Sequence, residues 1–187
     1  MKTMPQSTKE EKYRWIKPIF DKEISIVNKL LKEGPLSDFV GAPGQYFLGG
    51  KHVCALEAAF VKKFKVKHAV SFNSATTALH GAIVALGIGP GDEVIVPSYT
   101  MSATATAVLM NGAVPIFADI NSDTFCIDAS SVEKRITKRT KAIMVVNLFG
   151  QTADLDSLIP LAKKHKLKII EDNAQAPGAL WSVPHQA

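Results

Sequence analysis

The sequence predicts an α/β fold, a three-layer arrangement in which a mainly parallel sheet lies between helices. Three observations predict it. Short runs such as Glu93-Val94-Ile95-Val96-Pro97 recur along the chain and are continuously apolar rather than alternating, as strands buried on both faces require. Helical patterns separate these runs, so each strand is followed by a crossover that brings the chain back to the same end of the sheet. The 187 residues are 47% hydrophobic and 21% charged, which supports an ordinary core and argues against a disordered chain.

The elements follow in order. A helical pattern from Pro18 to Lys32 carries Ile19, Phe20, Ile24, Ile26, Val27, Leu30 and Leu31, and the Gly/Pro-rich passage from Gly34 to Gly50 is loop. Residues 1–50 thus read as an N-terminal helix and loop arm. A helix with Val53, Leu56, Ala59, Phe60 and Phe64 on one face leads to a short apolar run, Ala69-Val70-Ser71-Phe72, of strand character. Thr76 to Leu86 is helical, Glu93 to Pro97 a strand, Ser102 to Met110 a small-residue helix, and Val114 to Ala118 a strand. A helix near Ser130 to Ile136 precedes the strand Ala142 to Asn147, and Leu155 to His165 precedes Leu167 to Ile170.

Charge and cysteine content narrow the function. The 22 Lys and Arg against 17 Asp and Glu leave +5, too mild an excess for the concentrated field of a nucleic-acid protein. Two basic clusters, Lys134-Arg135 with Lys138-Arg139 and Lys141, and Lys163-Lys164-His165-Lys166 with Lys168, fall where a helix ends and the next strand begins. There they complement helix dipoles, and they read as solvated helix ends rather than as a surface for an anionic partner. Cys54 and Cys126 form no Cys-x-x-Cys pair, so a disulfide framework or thiolate zinc site is unsupported and a reducing compartment fits. Met1 to Trp15 is polar, with no apolar segment of a secretory signal. Thr104 to Ala118 is interrupted by Asn111, Gly112 and Pro115 and falls short of a membrane span. The expectation is a cytoplasmic protein that engages neither membrane nor nucleic acid.

In an open parallel sheet ligands bind beyond the C-terminal ends of the strands, so the residues after each strand are the ones to inspect. Asn73-Ser74-Ala75-Thr76-Thr77 runs into a helix whose first amides have no helical partner, a candidate anion cradle. Equally, Ser74 or Thr76 can simply cap the helix. The P-loop signature is absent, and Gly87-Ile88-Gly89-Pro90-Gly91-Asp92 lies between a helix and a strand, the reverse of a dinucleotide fingerprint; it is a turn. Ser98-Tyr99-Thr100-Met101 and Asn147-Leu148-Phe149-Gly150-Gln151 can line a cleft or be ordinary strand exits. Glu171 and Asp172 end the last apolar run, and because neighbours on a strand point to opposite faces, one acid can serve a site while the other pairs elsewhere. Alone, such a pair fits a cation site, a helix cap or a catalytic group.

Jointly, five segments carry a resemblance: Gly50-x-x-Val53-x-x-Leu56-Glu57-x-x-Phe60; Asn73-Ser74-Ala75-Thr76-Thr77-Ala78-Leu79; Gly89-x-Gly91-Asp92-Glu93-Val94-Ile95-Val96-Pro97; Asn147-Leu148-Phe149-Gly150; and Ile170-Glu171-Asp172-Asn173-Ala174-Gln175-Ala176. From about Lys32 to Trp181 the chain resembles the DegT/DnrJ/EryC1/StrS sugar aminotransferases, pyridoxal 5'-phosphate (PLP) enzymes of fold type I. The resemblance implies an aspartate-aminotransferase-like large domain, of which residues 51–181 are the N-terminal part and 182–187 a tail outside the pattern. It implies that Ala75 and Thr76 hold the cofactor phosphate, that Asp172 pairs with the pyridine nitrogen, and that Gln175 bonds the ring hydroxyl. Met101 matches a position where many members stack an aromatic ring, and Asn147 stands where the family often has His.

The Schiff-base lysine of these enzymes lies further along, and no lysine here sits in its motif, so the resemblance implies a truncated N-terminal portion, inactive by itself. The implied activity of the intact enzyme is transfer of an amino group from glutamate or a similar amino acid to a nucleotide-linked keto sugar. A sugar dehydratase of the same family and an inactive fragment or binding module are the alternatives. Members work as homodimers.

Overall fold

The computed structural model describes residues 19–34, 36, 39–44 and 46–180. The expectations for the polar start, for Pro18, and for Trp181 with the tail 182–187 fall outside these residues. The chain divides into two compact units, Met1–Lys62 and Lys63–Ala187.

In the first unit, α1 (Asp21–Glu33) starts where the Glu23 carboxylate accepts the Phe20 N–H at 2.9 Å, satisfying an amide that the helix leaves free. None of the α1 residues is buried, and its apolar residues Ile24, Ile26, Val27 and Leu31 stand exposed. α2 (Lys51–Phe64) begins beyond Gly49, whose φ of +88° places it in the left-handed region that a Cβ disfavours.

The second unit holds the sheet. Its helices are α3 (Ala75–Ala85), α4 (Ala103–Met110), α5 (Ala129–Arg135) and α6 (Leu155–His165), and its strands β1 (Glu93–Pro97), β2 (Val114–Ala118), β3 (Thr140–Val146) and β4 (Lys168–Asp172). All neighbours pair in parallel, in the order β2-β1-β3-β4. One face buries Val94, Val96, Met144 and Ile170 beneath Leu79 and Ile83 of α3 and Ala107 and Val108 of α4. The other buries Ile95, Ile143 and Val145 beneath Val132 of α5 and Leu158, Leu161 and Ala162 of α6. This is the three-layer α/β/α fold that the unbroken apolar strands predict. Three of these helices start with side-chain caps: Ser74 of α3 accepts from the Thr77 N–H, Asp128 of α5 from the N–H groups of Ser130 and Ser131, and Asp154 of α6 from the Ser157 N–H.

The last strand runs past the apolar run that ends at Ile170: the ladder continues through Val145↔Glu171 and Val146↔Asp172, so both acids stand on the strand and their side chains take opposite faces. One expectation needs correction. The segment Ala69 to Phe72 forms no strand. Its physical reason lies in the handedness of the crossovers. The connection β1-α4-β2 steps one way across the sheet with its helix on one face; β2-α5-β3 and β3-α6-β4 step the other way with theirs on the opposite face. α3 shares the face of α4, so a right-handed path into β1 must enter from the β3–β4 side, and β3 and β4 already occupy the nearer positions. The 69–72 segment therefore belongs beyond β4, and among the described residues no strand bridges the interval. Without a ladder, its Phe72 ring packs on Gly81 of α3, where an added Cβ would come within 2.6 Å of the ring.

Candidate functional site

In an open parallel sheet the crevice that binds ligands lies beyond the C-terminal ends of the strands. α3 feeds β1 at the opposite edge, so its first turn points toward this end. In that turn, Thr77 is committed locally: its hydroxyl donates to Asn73 Oδ1 at 2.6 Å and its N–H to Ser74 Oγ at 3.3 Å. Ser74, not Thr76, is thus the cap. The amides of Ala75 and Thr76 and the Thr76 hydroxyl make no hydrogen bond among the described residues, leaving two N–H donors and a hydroxyl at the positive end of a helix.

Asp172 closes β4 and is 8% exposed. Its Oδ1 accepts the Ala174 N–H at 3.0 Å, while Oδ2 makes no hydrogen bond among the described residues. A nearly buried carboxylate with one oxygen uncommitted is suited to a single cationic N–H donor. Glu171, on the opposite face, is engaged elsewhere: its Oε1 accepts from Asn147 Nδ2 at 2.6 Å. The acid pair splits its duties as strand alternation requires.

Gln175 follows three residues after Asp172. Its Oε1 accepts the Phe149 N–H at 3.0 Å, which fixes the amide orientation and leaves the NH₂ end as a donor. That polarity suits an anionic ring oxygen. Met101, beyond β1, is 69% exposed and offers an apolar side chain without a planar face.

By its place in the sequence Asn147 is a cleft residue or a plain strand exit. It is 1% exposed and wholly engaged: Nδ2 donates to Glu171 and to Asn173 Oδ1, Oδ1 accepts the Ala153 N–H at 2.9 Å, and its own N–H donates to the Asp172 carbonyl at 3.0 Å. Tyr99 and Phe149 lie in segments that the sequence marks as able to line a cleft, but Phe125 was missed, as was the meeting of the three rings, whose centroids are 5.8 to 6.4 Å apart. They come from three separate strand exits, and no periodicity links them. The basic clusters sit at the other edge of the sheet, where Arg139 pairs with Glu93, Lys141 with Asp92 and Lys164 with Glu133. No helix among the described residues is long and apolar enough to cross a membrane.

A parallel three-layer domain with a free helix start and a half-committed carboxylate at one edge is built as the cofactor-binding domain of a fold type I enzyme is built. The model of the DegT/DnrJ/EryC1/StrS aminotransferase family matches residues 40–183, and the chain belongs to that family. It is 50% identical over 132 residues to the GDP-perosamine synthase of Caulobacter vibrioides, covering 71% of this chain and 36% of that protein. To a UDP-N-acetyl-3-dehydro-alpha-D-glucosamine 3-aminotransferase of Acidithiobacillus ferrooxidans it is 48% identical over 133 residues, again 71% of this chain and 36% of the relative. Among solved structures, NtdA of Bacillus subtilis with bound cofactor PMP superposes with a TM-score of 0.75 at 35% identity, over 86% of this chain and 35% of that one. The chain therefore spans about a third of the length of these curated relatives.

Proposed function

We propose that this chain is the N-terminal part of the large domain of a PLP-dependent aminotransferase that moves an amino group from an amino acid such as glutamate to a nucleotide-linked keto sugar. The observation that carries the reading is Asp172, almost buried at the strand tip with Oδ2 uncommitted. When bound, the cofactor supplies an electron sink for cleavage at the substrate Cα and carries the amino group between the two substrates.

The residues divide the work by chemistry. The Ala75 and Thr76 amides with the Thr76 hydroxyl take the phosphate, where the helix dipole favours negative charge. Asp172 Oδ2 holds the proton on the ring nitrogen, and a full negative charge there keeps that proton in place. The Gln175 NH₂ donates to the ring oxygen, and Met101 covers one face of the ring by dispersion. No lysine of this chain takes the Schiff-base role, and the intact enzyme works as a cytoplasmic homodimer. By domain, residues 51–181 are the start of the large domain, and the family match extends over 40–183.

The test is Asp172→Asn in the protein carried to the family's full length, assayed for amino transfer to a nucleotide-linked keto sugar. The variant keeps its fold and its cofactor, and turnover falls by orders of magnitude, at about 1.4 kcal/mol of barrier per tenfold. Near-normal single-turnover rates would remove Asp172 from the site.

A further inference from the structure

We infer that Asn147 is a positioning residue for Asp172, a role that rests on the cofactor reading of Asp172 given above. The last rung of the β3–β4 ladder is Val146↔Asp172. Among the described residues β4 is an edge strand, so Asp172 has a strand neighbour on the β3 side alone. Beyond that rung its place depends on what holds residues 171 to 173, and one residue holds all three. The Asn147 N–H donates to the Asp172 carbonyl at 3.0 Å, and its side-chain NH₂ spans to Glu171 Oε1 on one flank and Asn173 Oδ1 on the other.

The fourth bond anchors the clamp itself. Asn147 Oδ1 accepts the Ala153 N–H at 2.9 Å, tying the strand exit to the residue just before the Asp154 cap of α6. Both amide hydrogens are thus spent, and the side chain is 1% exposed, so Asn147 has no donor left for a substrate. Its effect on chemistry must pass through Asp172. With Oδ1 of Asp172 taken by Ala174 N–H, the direction of Oδ2 is set by the backbone of 171 to 173, and that backbone is what Asn147 fixes. A charge-assisted bond to a ring N–H weakens steeply with misalignment, so a small rotation of this segment costs proton retention before it costs the fold.

The experiment uses the 187-residue chain with ring-¹⁵N-labelled pyridoxamine 5'-phosphate, a probe that needs no lysine. The ¹⁵N shift reports protonation of the ring nitrogen across a pH series, with melting temperatures measured alongside. In the wild type the bound nitrogen keeps its proton to higher pH than the free probe, by about one unit or a tenfold proton affinity. Asp172→Asn abolishes that difference. Asn147→Leu, similar in volume but unable to bond, and Glu171→Ala, at an exposed position, each remove most of it in molecules that still retain the probe.

The outcomes separate the two ideas. No probe retention by the wild type, or retention indifferent to Asp172→Asn, overturns the cofactor reading and this inference with it. An Asp172-dependent proton that survives both Asn147→Leu and Glu171→Ala, with only the melting temperature lowered, overturns the positioning role alone. Should Asn147→Leu not fold, Glu171→Ala decides by the same readout.

Discussion

Glu93 shows how one buried charge is made tolerable. It starts β1 at the edge opposite the crevice, 1% exposed, with its carboxylate accepting from the Thr137 hydroxyl, from Arg139 Nε at 2.8 Å and from the Thr140 hydroxyl at 3.4 Å. The Thr137 hydroxyl leads in holding its pKa below the ordinary glutamate value, and the Arg139 guanidinium adds to this against the opposing cost of burial. A depressed folded-state pKa stabilises the fold above the unfolded value, near pH 4.5, and the stabilisation is lost as pH falls through the folded one. Glu93→Gln should therefore lower stability at neutral pH by about 1–3 kcal/mol and flatten the acid limb of the stability curve. Denaturant midpoints between neutral and acid pH measure both. A variant whose acid limb matched the wild type would place the titration elsewhere.

At the scale of elements, sequence pattern was most readable where local chemistry decides. The apolar runs of β1 and β3 are visible in the chain itself, and Ser74 stands there as one of two cap candidates, whereas the caps Asp128 and Asp154 emerge only with the structure. Asp172 was legible as an acid at the tip of an apolar run. Asn147 was not, because its side-chain partners among 171 to 173 lie more than twenty positions away and are brought near only by the ladder. The 69–72 run fails for a related reason: strand character is a property of a pair, and apolar composition supplies only one member.

α6 retains a local conflict within an otherwise consistent pattern. Pro160 sits inside the helix, at an exposed position, where it cannot donate to the carbonyl of Asp156 and its ring crowds that turn. Pro160→Ala should restore the bond and raise stability by about 1–3 kcal/mol, read as a higher denaturant midpoint at unchanged m-value. No gain would mean that the helix has already bent to absorb the ring.

Over the whole molecule, what stands out is apolar surface concentrated in particular segments. Val70 is 72% exposed and Phe72 49%, in the segment that the crossover rule sends beyond β4; Tyr99, Phe125 and Phe149 are exposed at the crevice. Among the described residues β4 stands at the edge of the sheet, with Lys168 at its start. An edge strand together with the exposed apolar side chains of Val70 and Phe72 is a template for another strand, from the rest of a longer chain or from a second copy. In isolation, the 187-residue chain should self-associate at micromolar concentration, with a weight-average mass in sedimentation velocity that rises on concentrating. Val70→Lys puts a charge on that segment where no ladder or core contact is lost, so it should reduce association while leaving the melting temperature unchanged. A wild-type chain that stays a single monomeric species across the series would mean that these surfaces cover themselves, and the gap inferred beside β4 would have to be closed from within.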